Sequence, residues 1–194
     1  MDKKFSHCLS FVPPKKKGNT YFFLTLPSTQ DKTWELASLG APAGTLVISR
    51  TQDAGRGRQG RVWYSPVGGL WFSLLIFPII PETVNQVTLL SAQALASAIE
   101  KVTGLKTRMK LPNDLYCEDK KLAGIILEVK DEKAVLGVGL NVNCRTDLFP
   151  SPIPAVSLKE ILNHRVSRSV ILGSFLICFQ RAAGISLTPR AFSE

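Results

Sequence analysis

Gly55-Arg56-Gly57-Arg58-Gln59-Gly60-Arg61-Val62-Trp63 (GRGRQGRVW) stands between two strand-like stretches, β-branched Thr45–Ser49 before it and apolar Leu70–Phe77 after it. Its glycines let the backbone bend where side chains would clash, and they expose N–H groups that can point at an oxyanion. Arg56, Arg58 and Arg61 add fixed positive charge with bidentate donors suited to phosphate or carboxylate. The segment is not a Walker A loop, because the G-x-x-x-x-G-K-[ST] spacing is missing. It leads to a strand instead of a long helix, which excludes the dinucleotide-binding βαβ unit. Gly/Arg-rich segments also occur as disordered RNA-binding tails. Those repeat, whereas this copy is single and flanked by strand patterns.

Upstream, Tyr21–Leu26 reads as a strand. Ser28-Thr29-Gln30-Asp31 matches an S-x-x-D cap, and Trp34, Leu36, Ala37 and Leu39 continue a short helix up to Gly40. Downstream, Leu70–Ile80 is the longest apolar run. It is about half of the ~20 residues a membrane helix needs, and Pro78 and Pro81 break it, so it predicts a central strand. Val87, Leu90, Ala94, Ala98 and Val102 recur at helical spacing within Val84–Val102, and Gly104 supplies the stop. Thr107–Leu111, Leu122–Val129 and Ala134–Val142 read as strands. Asn113-Asp114 and Glu118-Asp119-Lys120 read as the turns between them. Ser157-x-x-Glu160 opens a short helix to about His164, and Val170–Ala183 is a further helix ended by Gly184. The pattern predicts an α+β fold: a mixed or antiparallel sheet with helices packed on one side.

The 194 residues fit one domain. It divides into a basic, poorly structured lead-in at 1–20, read as a solvated tail, a core at 21–150 and a helical segment at 151–194. Hydrophobic residues make up 45% and charged residues 20%, which excludes a disordered chain. The net charge of +9 calls for an anionic partner without naming it. Cys8, Cys117, Cys144 and Cys178 are scattered with no C-x-x-C pair, which excludes a zinc module, and no secretory signal stands at the N-terminus. The cysteines read as reduced thiols of a cytoplasmic protein, with no membrane role.

Two further segments carry polar groups in special places. Lys120-Lys121 opens the strand Leu122–Val129; alone the pair reads as a hairpin turn with solvated charges. Gly137-Val138-Gly139-Leu140-Asn141-Val142-Asn143 puts two glycines inside a strand, as close approach of a ligand or another backbone requires. A strand end with turn asparagines is the other reading. Asn141 and Asn143 alternate and are expected to face the same way.

Together these segments resemble the biotin protein ligase family, in the order Ser28-Thr29, Gln52 with GRGRQGRVW, Lys110-Leu111-Pro112-Asn113-Asp114, Lys121-Leu122-Ala123-Gly124-Ile125-Ile126-Leu127-Glu128, and Gly137-x-Gly-x-Asn-x-Asn143. The resemblance covers roughly Ser28 to Asn143. Lipoate ligases and octanoyltransferases share the fold, a core like that of class II aminoacyl-tRNA synthetases, but the Gly/Arg loop is similar to the biotin branch. The resemblance implies ATP, Mg²⁺ and biotin, and a two-step ligation. Biotin is activated as biotinyl-5′-AMP and then passed to a lysine of the biotin carboxyl carrier protein of acetyl-CoA carboxylase. The alternatives it leaves are a lipoate or octanoate ligase or transferase, and a non-catalytic core that binds biotin or its adenylate.

The same resemblance implies roles for residues. Arg58 and Lys121 are the catalytic cations. Ser28, Thr29, Gln52, Gly55, Arg56, Lys121 and Gly124 contact biotin. Arg56, Arg58, Arg61, Trp63, Asn113, Asp114 and Asn141 contact ATP, with Trp63 stacking on adenine and Asp114 on the metal side. The Gly/Arg loop is expected to close over bound ligand. Leu111 stands where the family usually has tryptophan, which predicts looser packing beneath biotin, and Gln59 replaces a frequent arginine. Neither an N-terminal DNA-binding domain nor a complete C-terminal SH3-like domain is expected, and hence no DNA partner. An edge strand of this sheet supports a homodimer in the family.

Overall fold

The computed structural model describes residues 15–17, 19–77, 79, 83–150 and 152–183. Its eight strands are β1 (Lys15–Lys17), β2 (Thr20–Leu26), β3 (Leu46–Gln52), β4 (Leu70–Ile76), β5 (Arg108–Lys110), β6 (Asp114–Cys117), β7 (Lys120–Lys130) and β8 (Lys133–Leu140). They form one sheet in the order β1-β2-β3-β4-β8-β7-β6-β5. Only β2 and β3 run parallel; the other neighbours are antiparallel. Among the described residues the helices are α1 (Thr29–Ser38), α2 (Val84–Thr103), α3 (Leu158–Leu162) and α4 (Arg168–Ala183).

β4 is buried at all seven positions, which its apolar sequence requires of a central strand. Alternate residues serve different faces. Phe72 and Leu74 join Leu136, Leu95, Ile99 and Phe175 in the main core beneath α2 and α4. The Phe72 and Phe175 rings lie 5.3 Å apart, and Phe175 stacks on Phe179 at 5.7 Å. Leu75 points the other way and packs with Val135 against Ala37 of α1. The long helices α2 and α4 thus share one face, as the pattern predicts. The short α1 departs from that arrangement and covers only part of the opposite face, leaving a hollow beside it.

Two expectations are corrected. Lys15–Lys17 is not a solvated tail: it pairs antiparallel with β2 as the sheet's edge. Residues 1–14 and Gly184 lie outside the described residues. Asn113-Asp114 is more than a turn, because Asp114–Cys117 forms β6, paired with both β5 and β7. This strand is too short to show a period. Among the described residues no helix is long and apolar enough to cross a membrane.

Candidate functional site

The strand register builds the floor of the hollow. Across β4, β8 and β7, three rows follow one another: Leu75–Val135–Glu128, Ser73–Gly137–Ile126 and Trp71–Gly139–Gly124. The first row is roofed by α1. In the next two, glycine replaces the side chain and opens space. The space is taken by side chains of this chain, and neither a ligand nor another backbone is needed to explain it. A Cβ on Gly137 would stand 2.6 Å from Gln30 Oε1, one on Gly124 2.9 Å from the Trp63 ring, and one on Gly139 would collide with that ring.

At one end of the cavity the groups are polar and uncharged. Ser28 caps α1 by accepting from the Asp31 N–H at 3.4 Å, which places Thr29 and Gln30 over the sheet. Gln52 Oε1 accepts from the Thr29 N–H at 2.7 Å and from its hydroxyl at 3.1 Å, while Gln52 Nε2 donates to Ser65 Oγ at 2.7 Å. Ser73 Oγ lies 2.8 Å from both Thr29 Oγ1 and Gln30 Oε1. Gln30 Nε2 donates to the Val135 carbonyl at 3.1 Å. Ser28, Thr29, Gln30, Ser65 and Ser73 are all buried, so their orientations are fixed by these bonds.

The other end is cationic. The Gly/Arg segment is a pinched hairpin, not an open loop. Gln52 pairs with Ser65 and Arg56 with Val62, and Trp63 N–H donates to the Gly55 carbonyl at 2.8 Å. A short 3₁₀ turn at Arg58–Gly60 holds Gln59 at φ 58°, a left-handed conformation disfavoured for a residue with a side chain. Arg56 clamps the hairpin to the scaffold through Asp31 at 2.5 Å and Glu128 at 3.2 Å; Glu128 also accepts from Trp34 Nε1 at 2.8 Å. Arg58 is exposed and donates to Asn113 Oδ1 at 2.9 Å. Lys121 Nζ pairs with Asp114 at 2.6 Å and sits 5.2 Å from the centre of the Trp63 ring. The indole lies edge-on to Trp71, and its Nε1 is buried without a hydrogen-bond partner.

The cavity therefore gathers Ser28, Thr29, Gln52, Arg56, Arg58, Arg61, Trp63, Asn113, Asp114, Lys121, Gly124 and Asn141 on its wall. Gly55 lies behind the wall, where a Cβ would meet Ser65 Oγ at 2.9 Å. Leu111 is 71% exposed and lies off the cavity wall, so it does not underlie the hollow as expected. Asn141 and Asn143 do not act side by side. Asn141 donates to the Lys121 and Val156 carbonyls, whereas Asn143 brackets the Val166 backbone with two bonds of 2.9 Å.

Sequence reasoning missed two parts of the wall. Gln30 and Ser73 carried no motif signal, because each looks like an ordinary residue within a helix or strand. The roof from residues 146–150 and 152–157 was also missed. There Phe149 stacks on Tyr64 at 5.8 Å, and Ile153 and Ala155 close the wall. Glu160 fastens this roof by accepting from the Thr146 N–H and hydroxyl and from the Ser157 N–H. Burial pushes the Glu160 carboxyl up, but the Thr146 and Ser157 hydrogen bonds together outweigh it and hold the pKa below the usual value. Burial drives the nearby Cys144 thiol up to about 12, so it stays protonated.

Among the described residues no three His, Cys, Asp or Glu side chains converge to hold a metal ion. Asp114 and Asn113 are the oxygen donors at the cationic end. One carboxylate fits a Mg²⁺ ion bound chiefly through a nucleotide's phosphates and its own waters.

The comparisons with known proteins agree with this geometry. The profile of the Biotin/lipoate A/B protein ligase family matches residues 22–144. The bifunctional ligase/repressor BirA of Bacillus subtilis (strain 168) is 39% identical over 165 residues, covering 80% of this chain and 51% of that protein. A biotin--[acetyl-CoA-carboxylase] ligase from Paracoccus denitrificans is 30% identical over 79% of this chain and 68% of its own. The biotin protein ligase from Aquifex aeolicus, solved in complex with biotin and ATP, superposes with a TM-score of 0.78 at 32% identity, covering 87% of this chain and 71% of that one. The chain spans about half the length of the first curated relatives it matches. On the family match, the shared fold and the motifs gathered at one cavity, the chain belongs to the biotin/lipoate A/B protein ligase family.

Proposed function

We propose that this domain activates biotin with ATP and transfers it to a lysine of a biotin carboxyl carrier protein. The observation that carries the reading is the division of one cavity into two chemistries. Buried Thr29 and half-buried Gln52 form an uncharged hydrogen-bonding end, and Lys121, Arg58 and Arg61 form a cationic end. A biotin ureido ring has N–H donors and a carbonyl acceptor, which match Thr29 and Gln52 oxygens on one hand and the Ser28 hydroxyl proton on the other. A dithiolane or alkyl chain has no N–H or carbonyl to offer these groups and gains no hydrogen bond from them. This favours biotin over lipoate or octanoate.

In the first step the biotin carboxylate oxygen attacks the α-phosphorus of ATP. The bond to the bridging oxygen breaks, and biotinyl-5′-AMP and pyrophosphate result. Lys121 draws carboxylate and α-phosphate together and offsets their repulsion; Arg58, now bonded to Asn113, turns onto the developing charge. Arg56 holds the hairpin in place through Asp31 and Glu128, and Gly124 keeps the floor open. Trp63 offers its ring to adenine, Arg61 faces the triphosphate, and Asn141 borders the nucleotide. Asp114 and Asn113 are the residues that would hold a Mg²⁺ ion brought by ATP, which would supply neutralisation of phosphate charge there. In the second step the carrier lysine's amine attacks the acyl carbonyl and AMP leaves. A closed hairpin protects the mixed anhydride from water.

The direct test is release of pyrophosphate on adding biotin to protein and MgATP, followed by label transfer to a carrier domain. Release with lipoate and none with biotin would refute the reading.

A further inference from the structure

The buried end of the cavity contains a chain of four oxygens: Gln30 Oε1, Ser73 Oγ, Thr29 Oγ1 and Gln52 Oε1. Successive contacts measure 2.8, 2.8 and 3.1 Å. Both ends are amide carbonyls, which only accept. The two hydroxyls between them bring one proton each. Three contacts thus share two protons, and one contact always lacks its hydrogen.

The surroundings decide where the deficit falls. Gln30 cannot reverse its amide without losing the bond from Nε2 to the Val135 carbonyl, and it is 3% exposed. Its Oε1 therefore needs the Ser73 proton. Ser73, fully buried on β4, then has only an acceptor to offer Thr29. Gln52 Oε1 already receives the Thr29 N–H, and its amide is oriented by the Nε2 bond to Ser65. The Thr29 proton is divided between Ser73 and Gln52. A ligand N–H arriving at Gln52 Oε1 or Thr29 Oγ1 supplies a donor from outside and releases that proton to Ser73, so both contacts of Ser73 are filled and the deficit is confined to the Thr29–Gln52 contact, beside the ligand's own N–H.

Resting on the biotin reading above, we propose that Gln30 and Ser73 are positioning residues for substrate choice. They set the polarity of the Thr29–Gln52 end so that it accepts and does not donate, and so selects a ring that brings its own N–H. An analogue with ring oxygens in place of the ureido N–H groups keeps the shape but cannot supply the missing proton.

The test compares kcat/KM for biotin and for the cyclic carbonate analogue, in pyrophosphate release. The wild type should favour biotin by about 100-fold, since the analogue leaves the hydrogen bonds of two N–H groups unmade. Ser73→Ala frees the Thr29 hydroxyl to donate, and the preference should fall below about 10-fold. Ser73→Thr keeps a hydroxyl and should restore it. Gln30→Met removes the acceptor that fixes the Ser73 proton and should also lower the preference, so the idea does not depend on one variant folding. A purely structural role would lower both substrates equally and leave the ratio unchanged; that result in either active variant overturns the inference. If the wild type turns over neither compound, the biotin reading itself has failed and the inference falls with it. If it uses biotin while the variants keep its ratio, the inference alone falls.

Discussion

The two ends of the cavity are built in opposite ways. At the Thr29–Gln52 end the polar groups are buried, or half-buried in the case of Gln52, mutually bonded and anchored to α1, β3 and β4. At the Arg58–Lys121 end the cations hold temporary partners of this same chain: Arg58 on Asn113, Lys121 on Asp114 and Trp63. The Trp63 indole rests on the glycine floor with its N–H unpaired, beside a hairpin that holds Gln59 in a left-handed conformation. One end is preorganised, and the other stores interchangeable contacts that a ligand replaces. Substitutions at the first should act on binding of the uncharged ring. Substitutions at the second should act on the chemical step and on the nucleotide.

The largest effect is expected at the cationic end. Lys121→Ala removes the cation between carboxylate and phosphate and leaves Asp114 facing them, so single-turnover adenylate formation should slow by about 10²–10³-fold, a larger change than the accompanying loss of biotin affinity. Equal rates would break the comparison. Next, Thr29→Val deletes a hydroxyl from the polar chain at nearly constant volume. It should raise the KM for biotin by about 10–100-fold while kcat for pyrophosphate release changes little. A fall confined to kcat would place Thr29 with the chemistry instead. Trp63→Ala should raise the KM for ATP by about 10-fold, since aromatic stacking on a base contributes about 1–3 kcal/mol, and should leave biotin affinity near the wild-type value.

The smallest effect concerns the roof. The lowered carboxyl of Glu160 contributes stability that is present above its unfolded pKa near 4.5 and lost as pH falls through the still lower folded value. Thermal midpoints measured between pH 7 and pH 3 should therefore drop more steeply for wild type than for Glu160→Gln, and parallel curves would remove Glu160 from the account.

Legibility in the sequence followed the same division. Apart from β6, the order of strands and helices from Tyr21 to Ala183 was readable, because β4 is apolar throughout and α2 has a clear helical period. The charged residues of the site stood out as a clustered motif. β1 and β6 were not readable: three and four residues cannot show alternation, and both are recognised only by their pairing with the strands beside them in the chain. Gln30 and Ser73 stayed hidden for a related reason. A buried glutamine and serine acquire meaning only when the register sets them against Gly137 and Thr29. The glycines of β8 were recognised as making room, but their occupants come from far away in the chain: Trp63 stands at Gly139 and Gln30 Oε1 at Gly137.

The central claim is that one cavity joins a ring-recognising end to an adenylating end. It is tested most directly by isotope exchange of pyrophosphate into ATP, measured with biotin and with lipoate in parallel. The account predicts exchange that requires biotin, ignores lipoate and disappears in Lys121→Ala. Exchange driven by lipoate, or exchange by biotin that survives loss of Lys121, would contradict it.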